Sequence, residues 1–317
     1  MIDFHQHILP KEYMKVIDDL KVISQGGFKY PDWSAEAAIE NMDKAGTEKT
    51  IIYLSEPGTF FNNDEELAKK LSRMVNDICK KTVDDYPGRF GAFGVLPMPF
   101  TDSSLKEIEY IFDTLGLDGV AMLTNIDGLY PGEDAYGEVF AELNRRKAIV
   151  VFHPALPPAG MVSKIPIPGF MLEFPFETTR CIMNILITGS AEKYRDIRWL
   201  FTHAGGAMPY LAQRFEYMRT RGFFPEIEQS TPRGANASLQ DFYYDTALSY
   251  GDGTFALLEK FVGVDHILFG SDWPFAPVNY TIEAANNIDK YWGVNERVKN
   301  MIKSENALKL LSESNKG

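Results

Sequence analysis

Cysteine is scarce in this chain of 317 residues, with Cys79 and Cys181 the only two. Both fall in stretches of helical period and form no close pair. A disulfide scaffold and a cysteine metal cluster are therefore excluded, and a reducing compartment, the cytoplasm, is expected. Basic residues are also in deficit: 32 lysines and arginines face 44 aspartates and glutamates, for a formal net charge of −12. That balance excludes the basic face that nucleic acid or an anionic membrane surface requires. An anionic ligand would have to be met by individual arginines or by a metal. No run of about 18 apolar residues offers a membrane span, and Asp3 and His5 interrupt any apolar leader at the N-terminus. Internal repeats and low-complexity segments are missing as well.

What is present is ordinary for a soluble globular chain, with 45% hydrophobic and 24% charged residues. Short β-branched or aromatic runs at 2–5, 49–55, 90–97, 118–123, 148–154, 197–206, 242–249 and 266–274 predict eight buried strands. Helices are predicted between them at 34–46, 63–86, 102–116, 134–147, 177–194, 207–221 and 251–263, and again at 295–314. Ser34 and Glu36 suit the start of the first of these, and Gly46 suits its C-cap. The alternation predicts one α/β domain over 1–317, a (β/α)8 TIM barrel with a closing helical segment at about 280–317. An open doubly wound sheet is the second arrangement, but no G-x-G-x-x-G turn follows the first strand. The stretch from Ala155 to Pro175, rich in proline and glycine, is expected to be irregular and to wall or cover a pocket.

Histidine is rare too, and its placement carries the chemistry. Of five, His5 and His7 lie two apart on the first strand and so share a face. His153 ends the fifth predicted strand, His203 the sixth, and Asp272 the eighth. In a barrel, these are the ends where active sites form. A lone histidine at a strand end is usually a hydrogen-bonded structural residue, but five such groups converging on one rim suit a divalent metal. Zn2+ is the first candidate and Mn2+ the second, with a coordination position left for water or substrate. His266 begins a strand and is expected at the opposite rim. Phe152, Phe174, Trp273 and Phe275 are expected to form a flat apolar cavity suited to a ring.

The stretches "DFHQH" (3–7), "FHP" (152–154), "THAGG" (202–206), "FGSDWPF" (269–275) and "NALKLL" (306–311) together resemble the amidohydrolase superfamily. They are similar in particular to its metal-dependent decarboxylase branch, which includes aminocarboxymuconate semialdehyde decarboxylase. "FPFETTR", "HAGGAMPYLAQR" and "YYDTALS" look most like the 6-methylsalicylate decarboxylases of that branch. The resemblance runs over essentially the whole chain. It implies His5, His7, His153 and Asp272 as metal ligands, and His203 as the histidine that hydrogen-bonds water or substrate and moves protons. It also implies that Arg214 reaches into a neighbouring subunit's pocket to grip a substrate carboxylate, which requires a homodimer or a higher homo-oligomer. Two-metal members carry a lysine at the end of strand four; this chain has "VAMLTN" there, which implies one metal. Related resorcylate decarboxylases replace the first two histidines by Glu-x-Ala, and this chain keeps H-x-H.

The activity so implied is nonoxidative decarboxylation of an aromatic or unsaturated carboxylic acid, such as a 6-methylsalicylate-like hydroxybenzoate. Asp272 is then the candidate proton donor to carbon, with His203 as its partner. Hydrolysis of a lactone or amide on the same ligands stays open. A catalytically silent, metal-stabilised scaffold is a third reading, and it predicts gaps in a ligand set that has none.

Overall fold

The computed structural model describes residues 1–24, 29–222 and 224–314. Its strands are β1 (Ile2–His7), β2 (Lys49–Tyr53), β3 (Phe90–Val95), β4 (Gly119–Leu123), β5 (Ile149–His153), β6 (Arg198–Phe201), β7 (Tyr243–Asp245) and β8 (Ile267–Leu268). They lie in one sheet in sequence order, each parallel to the next. The chain beyond β8 closes the sheet on itself. Phe4 N–H donates to the Phe269 carbonyl at 2.9 Å, His7 N–H to the Trp273 carbonyl at 2.8 Å, and Asp272 N–H to the His5 carbonyl at 2.8 Å. Closure makes this a (β/α)8 barrel and overturns the open doubly wound alternative. Every predicted strand is present. The runs predicted to 206 and 274 leave the ladder early because their last residues form the loops of the site.

Side-chain alternation sorts the apolar residues into two cores. An inner one fills the barrel and includes Phe4, Tyr53, Phe93, Val151 and Leu200. A larger one lies between barrel and helices. The helix Asn306–Ser314 adds Ala307, Leu310 and Leu311 to the inner core. Asn306 Nδ2 ties that helix to the Val264 and Ile267 carbonyls, both at 2.8 Å, where β8 begins. This helix plugs the N-terminal end of the barrel and leaves the C-terminal mouth for chemistry. The predicted closing segment is helical from Val278 onward, and its residues 315–317 lie outside the described ones.

Local signals hold where they are strong. Ser34 caps the helix Ala35–Ala45 by accepting from Ala37 N–H, and Gly46 ends it in the left-handed region at φ 70°. The stretch 155–175 differs from expectation. It is irregular only to Pro168, after which Gly169–Ile187 is one helix with Pro175 inside it. Burial of Phe174, Thr178, Cys181, Ile182 and Ile185 along one side outweighs the poor helix propensity of Gly169 and Pro175. Three short helices, Lys11–Asp19, Pro225–Ser230 and Ala235–Asp241, were not predicted. None of them has a side-chain cap hydrogen bond to announce it.

The "THAGG" turn packs directly against the helix containing Pro175. Gly206 sits at φ 63°, and a Cβ there would overlap the Pro175 carbonyl oxygen, which cannot move without bending the helix. Gly206→Ala should therefore cost about 2 to 3 kcal/mol. Thermal unfolding checks this, and an unchanged midpoint would contradict the close approach.

Candidate metal centre

The centre begins with an irregularity in β1. Ile2 and Phe4 belong to the inner core, so strict alternation would next send Gln6 inward and both histidines outward. The register against β2 instead shifts between Asp3 and Gln6, and this bulge turns His5 and His7 to the barrel axis. Asp3 holds the bulge from behind. Its buried carboxylate accepts from His5 N–H at 3.0 Å, Ser271 N–H at 3.1 Å and Gln6 Nε2 at 2.9 Å. Gly270 completes the fit, because a Cβ there would come within 2.8 Å of the His5 Cβ.

Inside the mouth, His5 Nε2 and His7 Nε2 are 3.0 Å apart. Asp272 Oδ1 lies 2.9 Å from His7 Nε2 and 3.3 Å from His5 Nε2. One ligand atom from each of His5, His7, His153 and Asp272 falls within 4.8 Å of all the others, and all four residues are buried. Ligand atoms about 2.0 to 2.1 Å from a tetrahedral zinc sit about 3.3 Å from one another. His5, His7 and Asp272 match that spacing at 2.9 to 3.3 Å, and His153 completes the set within 4.8 Å. His153 directs Nδ1 to the Pro154 carbonyl at 2.9 Å, which leaves Nε2 for the centre. His203 stands beside the four, its ring centroid 4.9 Å from that of His5 and 5.6 Å from that of His153. Its Nδ1–H donates to the Ala247 carbonyl at 2.9 Å, so Nε2 keeps its lone pair.

Asp245, the last residue of β7, has no assigned role in the sequence reading, yet it organises two of these groups. Its Oδ2 lies 2.8 Å from His5 Nδ1. Its Oδ1 accepts from His203 N–H at 2.9 Å and from Ala247 N–H at 3.0 Å. A carboxylate on the far nitrogen of a ligating histidine fixes its tautomer and raises its basicity. The predicted strand runs on to Ser249 and so places Asp245 in its middle, whereas β7 ends at Asp245.

The electrostatics suit a cation. Burial pushes His7 and His153 below the usual imidazole range, and burial likewise lowers His203. These rings stay neutral and keep their lone pairs. For His5, burial acts downward but the Asp245 and Asp272 carboxylates outweigh it and lift the ring. For Asp272, burial acts upward but hydrogen bonds from His5 and His7 hold it well below the usual carboxylate range. One carboxylate and several bare imidazole nitrogens turned on a single point fit a divalent metal. Backbone strain is concentrated in the same place: His203, Ala204 and Asp272 have φ of 53°, 58° and 66°, each costing on the order of 1 to 3 kcal/mol. The surrounding hydrogen bonds hold them there.

The other predicted site residues separate. Phe174 lies edge-on to His153 with centroids 6.2 Å apart, and Phe275 lies 5.2 Å from His7. Phe152 does not line the site. On β5, Val151 points into the barrel, so Phe152 between it and His153 points outward, where it stacks on Phe201 at 5.4 Å. The Trp273 ring likewise joins the core between barrel and helices and borders a separate recess with Pro31 and Asn41, while its carbonyl holds His7 N–H. Arg214 is exposed on the helix Met208–Thr220 and makes no ion pair among the described residues. His266 stacks on Tyr243 with centroids 4.6 Å apart and bonds the Phe242 carbonyl, away from the centre.

Three histidines and an aspartate buried at the mouth of a (β/α)8 barrel, with a fourth histidine beside them, define a class of barrel with a metal site at its mouth. Within that class the chain belongs to the amidohydrolase family, whose model matches residues 2–312. It is 32% identical to the 6-methylsalicylic acid decarboxylase of Penicillium expansum over 317 residues, covering 98% of this chain and 95% of that one. A crystal structure of an amidohydrolase II superposes with a TM-score of 0.90 at 26% identity, covering 98% and 99% of the two chains. The dihydroxybenzoic acid decarboxylase of Polaromonas sp. JS666, solved with bound manganese and an inhibitor, shares the fold at a TM-score of 0.81 and 21% identity, covering 98% and 96%.

The role of Asp245 is open to direct test. Asp245→Asn should weaken metal binding about 10- to 100-fold, measured by calorimetric titration of metal-depleted protein with Zn2+ or Mn2+. An unchanged affinity would remove Asp245 from the centre.

Proposed function

We propose that this protein is a metal-dependent carboxy-lyase that removes CO2 from an aromatic carboxylic acid without an oxidant, with a 6-methylsalicylate-like hydroxybenzoate as its substrate. The observation that carries the reading is the complete buried donor set with His203 beside it. The likeness to the Penicillium expansum 6-methylsalicylic acid decarboxylase along almost the full length of both chains supports the choice of substrate. His5, His7, His153 and Asp272 would hold the ion, zinc first; the manganese of the Polaromonas enzyme supports manganese as well. When bound, the ion supplies positive charge to fix the substrate carboxylate and an adjacent hydroxyl.

The reaction replaces a C–CO2 bond with a C–H bond, so one proton must reach the ring carbon before CO2 departs. Protonation draws on the ring electrons. When the C–CO2 bond breaks, its electron pair returns to the ring. Asp272 is the donor. Its Oδ1 is engaged by His5 and His7, which leaves Oδ2 to face substrate. Because this carboxyl rests ionised, it must gain its proton after substrate arrives. His203 Nε2, bare and next to the centre, is placed to take a proton from the substrate and pass it on. Phe174 and Phe275 flank the histidines and would bracket the ring.

The active unit is read as a homodimer or larger. Tyr210, Arg214 and Tyr217 share one face of the helix Met208–Thr220, and Tyr210 is 78% exposed. Met161, Ile165 and Met171 add exposed apolar surface in the loop after β5 and at the start of the next helix. A second copy covering this face would bury it and carry Arg214 toward its neighbour's substrate. The buried thiols Cys79 and Cys181 are unpaired, which supports a cytoplasmic setting.

Metal-loaded protein should release CO2 from 6-methylsalicylate. His203→Ala should keep its metal and lose about 10²- to 10⁴-fold in kcat. Full activity in that variant sinks the proton-transfer role, and ring opening of a lactone with no CO2 from any hydroxybenzoate points to hydrolysis instead. Specific activity should fall on dilution through a measured dimer-to-monomer transition. Constant activity across it contradicts Arg214 acting in trans.

A further inference from the structure

A cavity of about 500 Å3 lies at the C-terminal end of the barrel, between the loops that follow β2, β3, β4 and β5, and is walled in part by the core between barrel and helices. It adjoins the centre. Ala121 on its wall belongs to the inner core of the barrel, and Ala155 on its wall comes two residues after His153. None of the metal-ligand set lines it, and neither does His203.

Its chemistry is one-sided. Most of the lining is apolar, no lysine, arginine or histidine is part of it, and the single charged group is Asp127, exposed at the rim. A second carboxylate or a phosphate would find no counter-charge here and would meet Asp127. The wall is preformed. Asn125 Nδ2 donates to the Glu177 carboxylate at 2.7 Å and to the Leu156 carbonyl at 3.0 Å, and Tyr130 donates to the same carboxylate at 3.0 Å. Glu177, in the "FPFETTR" stretch, ties the loop after β4 to the helix Gly169–Ile187, while Asn125 ties that loop to the loop after β5.

Size decides the remainder. A methyl group takes about the room of one water, roughly 30 Å3, whereas pockets of a few hundred Å3 and upward hold drug-sized ligands. We propose that this cavity binds an uncharged, mainly apolar substituent of several carbons on the aromatic acid, so that the enzyme's substrates are monocarboxylates with an arm longer than methyl. The inference rests on the decarboxylase reading for the identity of the ring acid, while the cavity itself does not.

Calorimetric titration of the manganese-loaded protein with salicylates carrying methyl, propyl or pentyl at the 6-position tests it. Burying each methylene should tighten binding about fourfold, the equivalent of about 0.8 kcal/mol, and ending the pentyl arm in a carboxylate should reverse the gain. Val162→Trp, from the loop, and Ala155→Phe, from the floor, should each flatten the series. Equal affinity from methyl to pentyl in the unaltered protein overturns the proposal, as does a full chain-length dependence in both variants. The same samples are assayed for CO2. A preserved chain-length dependence without CO2 from any member removes the decarboxylase reading and leaves the cavity assignment standing. CO2 from the methyl compound with a flat affinity series does the reverse.

Discussion

Most of what distinguishes this barrel follows from one local constraint: three lone-pair atoms, His5 Nε2, His7 Nε2 and Asp272 Oδ1, are held within 2.9 to 3.3 Å of one another in a buried site. Two imidazole nitrogens facing each other at that distance gain nothing from proximity unless a proton or a cation lies between them. Burial makes a proton costly at His7 and His153, while the Asp245 and Asp272 carboxylates favour one on His5. A divalent cation satisfies all of them together, and binding energy of that kind also stabilises the folded chain.

The constraint reaches the fold through barrel closure. Two of the three backbone bonds that join the end of the sheet to its beginning involve His5, His7 and Asp272, so three of the ligand set also form the seam of the barrel. Asp3 bridges β1 to Ser271 across that seam, and Asp245 bridges β7 to both His5 and His203. Gly270 lets the two strands approach. Left-handed backbone at His203, Ala204 and Asp272 is tolerated because each of these contacts fixes the turn from another side.

Much of this was legible in the sequence, and the failures have physical causes. Strand ends are marked by apolar runs that stop at a polar residue, and that rule located His153, His203 and Asp272. His5 and His7 share a face by simple alternation, but that face is the inner one only because a bulge breaks the alternation that Phe4 starts, and pattern reading does not see bulges. Phe152 was misplaced although alternation was sufficient to place it: if His153 points inward, its neighbour points out. Asp245 was passed over because the apolar run around it continues to Ser249 and hides the end of β7, and its importance lies in whose nitrogen it meets. Pro175 inside a helix reflects tertiary burial overriding local propensity. The destination of Arg214 depends on a second chain, which one sequence read alone does not contain.

X-ray absorption at the zinc edge of the zinc-loaded protein tests the central claim most directly. The account predicts one zinc per chain with a first shell of nitrogen and oxygen at about 2.0 to 2.2 Å, imidazole scattering beyond it, and no sulfur at about 2.3 Å. His153→Ala should remove part of the imidazole signal. A shell of oxygen alone, or one that His153→Ala leaves unchanged, would contradict it.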